Sequence, residues 1–215
     1  MIKKRIAVFA SGRGSNFQVI IDKTKNGFIP ATIDLCITNN PNAGAIKIAE
    51  RYNIPHRIFI PKEFPDGKSF NDTILDELKK TKINFIVLAG YLKLIGEQIV
   101  KNFENKIINI HPALLPSFGG KGMYGHFVHE AVYKSGVKIS GPTVHLVNNE
   151  YDAGPIVLQK AISISNVESP NEIASRVLKI EHKIFPEAIK LLVEQNIIID
   201  NNRVRLVGEN KIESD

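Results

Sequence analysis

Residues 5–16 read RIAVFASGRGSN, an apolar run of strand length that leads into a turn containing Gly12 and Gly14. A segment of helix length follows the turn. Glycine lets the backbone approach a ligand closely, and the free N–H groups at a helix start favour an anion. This strand–turn–helix unit indicates an α/β fold with a phosphate site at its first turn.

The same alternation of strand-length and helix-length segments continues along the chain. It favours an open, mostly parallel, twisted sheet of about seven strands with helices on both faces, a Rossmann-like arrangement. Strands are predicted at residues 5–10, 32–38, 56–60, 84–90, 106–111, 140–147 and 156–164. Helices are predicted at residues 16–25, 44–52, 68–80, 96–102, 127–135 and 170–195.

The end of the chain carries further local signals. Ser169, Pro170 and Glu172 have the spacing of a capping box with proline at the first helical position, which predicts the start of the last helix. The apolar runs on either side of Asn201 and Asn202 predict a terminal hairpin, and residues 209–215 are expected to be frayed.

Composition limits the classes of protein to consider. With 215 residues and 43% hydrophobic side chains, the chain fits one domain with a proper core. The net charge of +6 is spread over scattered lysines, and tryptophan is absent, so a solvated surface is favoured over a nucleic-acid partner. We expect no membrane partner, because no apolar run is long enough to span a bilayer. The single cysteine, Cys36, is expected to be buried and inert, and we expect a cytoplasmic protein.

The first turn differs from the dinucleotide-binding fingerprint. Phe17 stands where that fingerprint has glycine or alanine, and the second strand ends in Thr38-Asn39-Asn40, without an acidic residue to hold a ribose hydroxyl. A nicotinamide dehydrogenase is therefore disfavoured. A phosphomonoester on a smaller substrate fits better.

Residues 107–116 read IINIHPALLP and contain a first polar constellation. Asn109 and His111 are two residues apart on a strand and so point to the same face. Pro112 ends the strand, which places both side chains at its carboxyl end, where open α/β sheets bind ligands. A hydrogen-bonded core pair is the alternative interpretation.

Residues 141–155 contain a second polar cluster. Thr143, His145 and Val147 share one face of a predicted strand, and Asp152 lies in a loop closed by Gly154 and Pro155. The spacing alone favours ordinary turn chemistry for Asp152.

Four motifs together resemble the phosphoribosylglycinamide formyltransferase family. These are the Ser-Gly-x-Gly-Ser-Asn turn, Leu-Ala-Gly-Tyr at residues 88–91, Asn-x-His-Pro-x-Leu-Leu-Pro at residues 109–116, and Asp-x-Gly-Pro at residues 152–155. The resemblance extends from about residue 4 to residue 189. It implies a single formyltransferase domain over residues 1–215, with a nucleotide-binding half (about 1–100), a folate-binding and catalytic half (about 101–195) and a short tail.

The resemblance implies formyl transfer from 10-formyltetrahydrofolate, as co-substrate, to the amine of glycinamide ribonucleotide in purine biosynthesis, without a metal. Asn109 would donate a hydrogen bond to the oxyanion, and protonated His111 would add positive charge beside it. Asp152 would favour the imidazolium, raising the pKa of His111, and would help to relay the proton of the amine.

The resemblance also implies two groups of binding residues, and a cis peptide bond at Leu115-Pro116. The ribonucleotide would be bound by Gly12, Gly14, Ser15, Asn16 and Glu181. The folate would be bound by Lys68, Leu92, Lys93, Leu94, Ile95, Asn109, Asn148 and Asp152. Lys68 stands near the position where relatives carry an arginine, and lysine lacks the bidentate fork of arginine. The glycine-rich segment at residues 117–125 is either a lid or a surface loop, and His126 and His129 after it either contact phosphate or lie on a solvated helix face.

Other functions agree less well with the sequence. Metal catalysis is disfavoured, because the sequence has no His-Glu-x-x-His and no Cys-x-x-Cys spacing. A transfer-RNA formyltransferase is expected to need a further domain, and a 10-formyltetrahydrofolate hydrolase a regulatory domain before the first strand. A non-catalytic nucleotide-binding module would explain only the glycine turn. The substrates are small molecules, and the sequence leaves a monomer and a homodimer equally open.

Overall fold

The computed structural model describes residues 3–207. The strands are β1 (Lys4–Phe9), β2 (Ala31–Thr38), β3 (His56–Ile58), β4 (Phe85–Leu88), β5 (Ile107–His111), β6 (Ile139–Ser140), β7 (Thr143–Leu146), β8 (Ile156–Gln159), β9 (Ile162–Ser163), β10 (Ile197–Asp200) and β11 (Arg203–Leu206). The helices are α1 (Ser15–Lys25), α2 (Gly44–Arg51), α3 (Gly67–Lys80), α4 (Glu97–Asn102), α5 (His126–Ser135) and α6 (Pro170–Val193).

Seven strands form the central sheet, in the order β3-β2-β1-β4-β5-β7-β8. The five strands from β3 to β5 run parallel, and β7 and β8 each pair antiparallel to their neighbours. The prediction of a mostly parallel sheet of about seven strands is confirmed. Because the chain passes from β1 to β2 on one side and returns to β4 on the other, a crevice forms at the carboxyl ends of β1 and β4.

Helices cover both faces of the sheet, as predicted. Ile6 and Val8 of β1 pack into a core cluster that includes residues of α1, α2 and α6. Ala7 and Phe9, which point the other way, pack into a second cluster with residues of α3 and α4. All four side chains are fully buried, as the two-residue period of a strand covered on both faces requires.

The prediction of one continuous strand at residues 140–147 and another at residues 156–164 is wrong, because each segment forms two short strands. The backbone at Gly141 passes very close to the backbone at Lys160. A Cβ on Gly141 would lie 1.9 Å from the carbonyl oxygen of Lys160. Pro142 has no N–H to continue a ladder. As a result β6 and β9 leave the central sheet and pair with each other, while β7 and β8 remain in it.

The predicted helix start at Ser169 is confirmed. The Ser169 hydroxyl accepts a hydrogen bond from the Glu172 backbone N–H at 3.3 Å, although the Glu172 carboxylate reaches the N–H of Glu168 rather than that of Ser169. The terminal hairpin is present as β10 and β11. The fraying expected at residues 209–215 concerns residues outside the described part of the chain. Across residues 3–207, no helix has the length and apolar character needed to cross a membrane.

Candidate active site

A cavity of about 560 Å³ opens at the carboxyl ends of β1, β4 and β5. It is bordered by the glycine turn after β1, by the segment after β4 and by the end of β5. Twelve of the fourteen predicted site residues line it: Gly12, Gly14, Ser15, Asn16, Leu92, Lys93, Leu94, Ile95, Asn109, His111, Asp152 and Glu181. The structure therefore brings most of the predicted residues to one place.

The glycine turn presents the start of α1 to the cavity. Gly14 precedes the helix with a left-handed backbone (φ 84°), and a Cβ there would lie 2.8 Å from Ile48 Cδ1 and 3.2 Å from Ala45 Cα. Glycine is needed here for both reasons. No side chain caps this helix start, so its first amides are available to an anion.

A buried hydrogen bond joins the start of α1 to the last long helix. The Asn16 side-chain amide donates to Glu181 Oε2 at 2.6 Å, although the two residues are 165 positions apart. Burial raises the pKa of Glu181, and the donated hydrogen bond opposes that shift only in part. The pair places a carboxyl group beside the anion site.

Asn109 lies opposite His145, because the two residues are paired across β5 and β7. The Asn109 amide nitrogen is 3.0 Å from Nε2 of His145, and Nδ1 of His145 is 2.8 Å from the carbonyl oxygen of Leu146. Since a carbonyl only accepts, Nδ1 carries the proton and Nε2 accepts from Asn109. This bond orients the Asn109 amide and leaves its second N–H for a ligand.

His111 is buried beside Asp152. Its Nδ1 lies 3.5 Å from Asp152 Oδ2, and its Nε2 lies 2.9 Å from the carbonyl oxygen of Phe118. Burial lowers the pKa of His111 below its ordinary value, and the opposing effects of Asp152 and the Phe118 carbonyl do not cancel the shift. Asp152 acts to raise the pKa of His111, as expected, but desolvation of the ring outweighs the charge next to it, so the net shift of the pKa is downward.

The Asp152 carboxylate contacts both the backbone of Gly120 and the ring of His145. Its Oδ2 accepts a hydrogen bond from the backbone N–H of Gly120 at 2.9 Å, and its Oδ1 lies 3.6 Å from Nε2 of His145. Burial is the largest single influence and acts to raise its pKa. The nearby His145 ring, the charge of His111 and the hydrogen bond from Gly120 together lower the pKa below its ordinary value. A carboxylate that stays ionised thus stands beside a ring that burial keeps neutral.

The residues after β4 form the wall of the cavity opposite α5. Leu92 and Leu94 remain substantially exposed although they are apolar, and Tyr91 and Ile95 are buried behind them. The Lys93 ammonium lies 5.2 Å from the centre of the Phe70 ring. An exposed apolar wall of this kind is typical of a pocket for a flat, largely apolar ligand.

Lys68 and Asn148 are the two predicted site residues that do not line the cavity. Lys68 is exposed on α3 and forms an ion pair with Asp72 at 2.8 Å. The Asn148 side chain accepts a hydrogen bond from the Glu150 backbone at 3.0 Å within its own turn. Their roles remain predictions.

Three histidines that line the cavity, His126, His129 and His145, were not among the predicted site residues. His145 was noted only as part of a polar strand face, and its pairing with Asn109 depends on an antiparallel register that the sequence does not reveal. His129 on α5 is 8% exposed, and its Nδ1 has no hydrogen-bond partner among the described residues. Burial, and then the charge of His111, lower its pKa to about 4.

The described residues contain no group of three or more His, Cys, Asp or Glu side chains that could hold a metal ion. Cys36 is fully buried, as expected, and burial raises the pKa of its thiol to about 12. The bond between Leu115 and Pro116 is cis, as expected.

Comparison with known proteins gives consistent results. The model of the formyl transferase family matches residues 4–189. The chain is 40% identical over 193 residues to phosphoribosylglycinamide formyltransferase of Bacillus subtilis, covering 90% of this chain and 96% of that protein. It is 44% identical over 197 residues to the chloroplastic enzyme of the same name from Arabidopsis thaliana, covering 91% of this chain and about two thirds (67%) of that one. Glycinamide ribonucleotide transformylase 1 from Symbiobacterium toebii superposes with a TM-score of 0.90 at 33% identity, covering 95% of this chain and 94% of that one.

Proposed function

The chain belongs to the formyl transferase family, and from this membership and the cavity described above we propose that it transfers a formyl group from 10-formyltetrahydrofolate to the amine of glycinamide ribonucleotide. The products are the N-formyl ribonucleotide and tetrahydrofolate, in a step of de novo purine biosynthesis. One observation carries the proposal: Asn109, His111 and Asp152 meet in one cavity, between an anion-binding turn and an apolar wall.

The proposed reaction is a substitution at the formyl carbon. The glycinamide nitrogen attacks that carbon and forms a C–N bond, and the formyl oxygen becomes an oxyanion. The bond from carbon to N10 of the folate then breaks. The amine loses one proton and N10 gains one, so protons balance overall.

Asn109 is the hydrogen-bond donor for the oxyanion in this proposal. One of its amide hydrogens is held by His145 at 3.0 Å, which fixes the direction of the other. A preorganised donor of this kind typically lowers the barrier by about 3–4 kcal/mol. The Asn109 amide stabilises the oxyanion to this extent because it is already oriented before negative charge develops on the formyl oxygen.

In this proposal, His111 accepts the proton that the attacking amine loses, and Asp152 stabilises the charged ring. Because burial lowers the pKa of His111, the ring enters the reaction mostly neutral and can accept the proton that the attacking amine loses. The resulting imidazolium lies beside ionised Asp152 and adds positive charge near the oxyanion. The same proton then passes to N10 as the folate leaves.

Ribonucleotide binding is assigned to the glycine turn. Gly12, Gly14 and Ser15 would receive the phosphate at the start of α1, and the Asn16–Glu181 pair would lie beside the sugar. Anion binding at an uncapped helix start supports this placement. Residues 1–100 would thus supply most of the nucleotide site within one formyltransferase domain.

Folate binding is assigned to the wall formed by Leu92, Lys93, Leu94 and Ile95, with Asn148 and Asp152 on the loop above it. Lys68 would meet the glutamate tail from α3. Residues 101–195 would supply the catalytic side chains and the rest of this site. The proposal needs no metal, nucleic acid or membrane, places the reaction in the cytoplasm, and is compatible with a monomer or a homodimer.

The direct test follows tetrahydrofolate release from 10-formyltetrahydrofolate with and without glycinamide ribonucleotide. We expect release to require the ribonucleotide and to match formylated product one for one. Asn109→Ala should lose about 10²–10³-fold in kcat, while Asn102→Ala, at an exposed position on α4, should not change it. Equal release without the ribonucleotide would instead identify a formyltetrahydrofolate hydrolase.

A further inference from the structure

The segment at residues 117–125, which we call the anchored loop, is held to the protein by its own side chains. Phe118 and Met123 pack against a third core cluster, which contains Ala113 and residues of α5 and α6. Between them Gly120 and Gly122 have φ values of 101° and 87°, and Phe118 itself has φ 57°. A loop anchored at two points has a defined backbone path, unlike a lid that swings freely.

Two backbone groups of the anchored loop contact the catalytic pair. The carbonyl oxygen of Phe118 is 2.9 Å from Nε2 of His111. The N–H of Gly120 donates to Asp152 Oδ2 at 2.9 Å, and this same oxygen is the one nearest to Nδ1 of His111. The loop therefore contacts His111 at the ring nitrogen that faces away from Asp152, and contacts Asp152 at the oxygen that faces His111.

These contacts distinguish the two ring nitrogens of His111. A carbonyl oxygen can only accept, so Nε2 must carry a hydrogen whether the ring is neutral or charged. The proton that comes and goes is then the one on Nδ1, which faces Asp152 at 3.5 Å. That distance is longer than a strong hydrogen bond and leaves Nδ1 less firmly held than Nε2.

We propose that the anchored loop is a positioning element for the catalytic pair: the Phe118 carbonyl holds Nε2 of His111 protonated, the Gly120 amide holds Asp152 ionised, and Nδ1 is left as the nitrogen that exchanges the transferred proton. The inference rests on the proposed function. In that reaction Nδ1 takes the proton lost by the attacking amine and returns it to N10 of the leaving folate, so the enzyme ends in its starting state.

Gly119 offers a way to disturb the loop without removing a catalytic side chain. A Cβ at Gly119 would lie 2.5 Å from Leu115 Cδ2 and 3.2 Å from Asp152 Cβ. Gly119→Ala must therefore displace either the Leu115 side chain or the loop, and the new methyl group also crowds Asp152. Gly67→Ala, at the start of α3, is the control for an added methyl group, because a Cβ there meets nothing within 4 Å and the backbone of Gly67 does not have a positive φ.

The first experiment compares the pH dependence of kcat in both variants, with thermal unfolding as a check on folding. We expect Gly119→Ala to lower kcat about 10- to 100-fold with little change in the KM for the ribonucleotide. Its acid limb should move to lower pH, because His111 must be neutral to accept the proton, and a shift of the loop or of Asp152 weakens a contact, with the Phe118 carbonyl or with Asp152, that raises the pKa of His111. Gly67→Ala should keep the pH profile of the wild type. A folded Gly119→Ala protein with the wild-type kcat and pH profile would overturn the proposal.

The second experiment needs no variant and no substrate. Nitrogen-15 NMR of the histidine rings should show that neutral His111 carries its proton on Nε2 and that Nδ1 titrates. A neutral ring protonated on Nδ1 would refute the positioning role, even if Gly119→Ala failed to fold. Because this measurement involves no formyl transfer, failure of the proposed function would be recognised separately, by the absence of ribonucleotide-dependent turnover in the wild type.

Discussion

The side-chain amide of Asn109 donates to Nε2 of His145 at 3.0 Å, directly across the antiparallel pair formed by β5 and β7. An asparagine amide can rotate by half a turn at little cost when nothing distinguishes its oxygen from its nitrogen. Here the distinction comes from His145, whose Nδ1 is committed to the Leu146 carbonyl. The histidine thus decides which way the amide of Asn109, the proposed oxyanion donor, points.

His145→Ala should lower kcat about tenfold, since Asn109 would lose its orientation but remain present. The KM values should change less than kcat, because the effect falls on the transition state. His145→Gln, which retains an acceptor, should recover part of the rate. The check is a double-mutant cycle with Asn109→Ala: the two changes should be far from additive. Additive losses would separate His145 from the orientation of Asn109.

Asp152→Asn should fold normally and lose most of the formyl-transfer rate. In the wild type, the Asp152 carboxylate favours the charged form of His111, although the opposite effect of burial on the pKa is larger. Removing the negative charge should therefore lower the pKa of His111 further, so the ring takes up its proton only at a still lower pH. An NMR titration of His111 in both proteins measures this, and Asp76→Asn, at an exposed position on α3, is the control. An unchanged or raised pKa of His111 would contradict the pairing.

Glu181→Gln should raise the KM for the ribonucleotide about tenfold or more and leave kcat nearly unchanged. The reason is position: Glu181 bonds to Asn16 at the start of α1, on the anion-binding side of the cavity. Steady-state kinetics with each substrate varied in turn would show the effect, and the KM for the folate should stay constant. Glu187 lies on the same helix but is exposed, so Glu187→Gln should have the wild-type kcat and KM values.

Lys68→Ala should raise the KM for 10-formyltetrahydrofolate carrying a glutamate tail, and thermal unfolding should hardly change. The ion pair of Lys68 with Asp72 is exposed and joins adjacent turns of α3, and pairs of this kind contribute little to the free energy of unfolding. Asp72→Asn provides the opposite change, since it releases the ammonium and should lower this KM or leave it unchanged. If Lys68→Ala has the wild-type KM at low salt, the tail binds elsewhere.

Local sequence was sufficient for the repeating parts of the fold. The apolar run before Gly12 predicts β1, and in the structure Ile6 and Ala7 of this strand face opposite helical layers. Ser169 and Glu172 predict the start of α6. The four motifs together predict the family, and the comparisons confirm that prediction. Each of these inferences depends on neighbours within a few positions or on a motif whose residues stand close together.

What the sequence by itself determined is therefore the order and type of the elements, the shared face of Asn109 and His111, and the family. Only the tertiary structure decided that His145 lies against Asn109, that Asn16 reaches Glu181, and that the pKa of His111 is lowered. Strand register, long-range contacts and desolvation are collective properties. They arise when segments far apart in the chain exclude water together, and no local pattern around His111 reports how completely the rest of the protein will cover it.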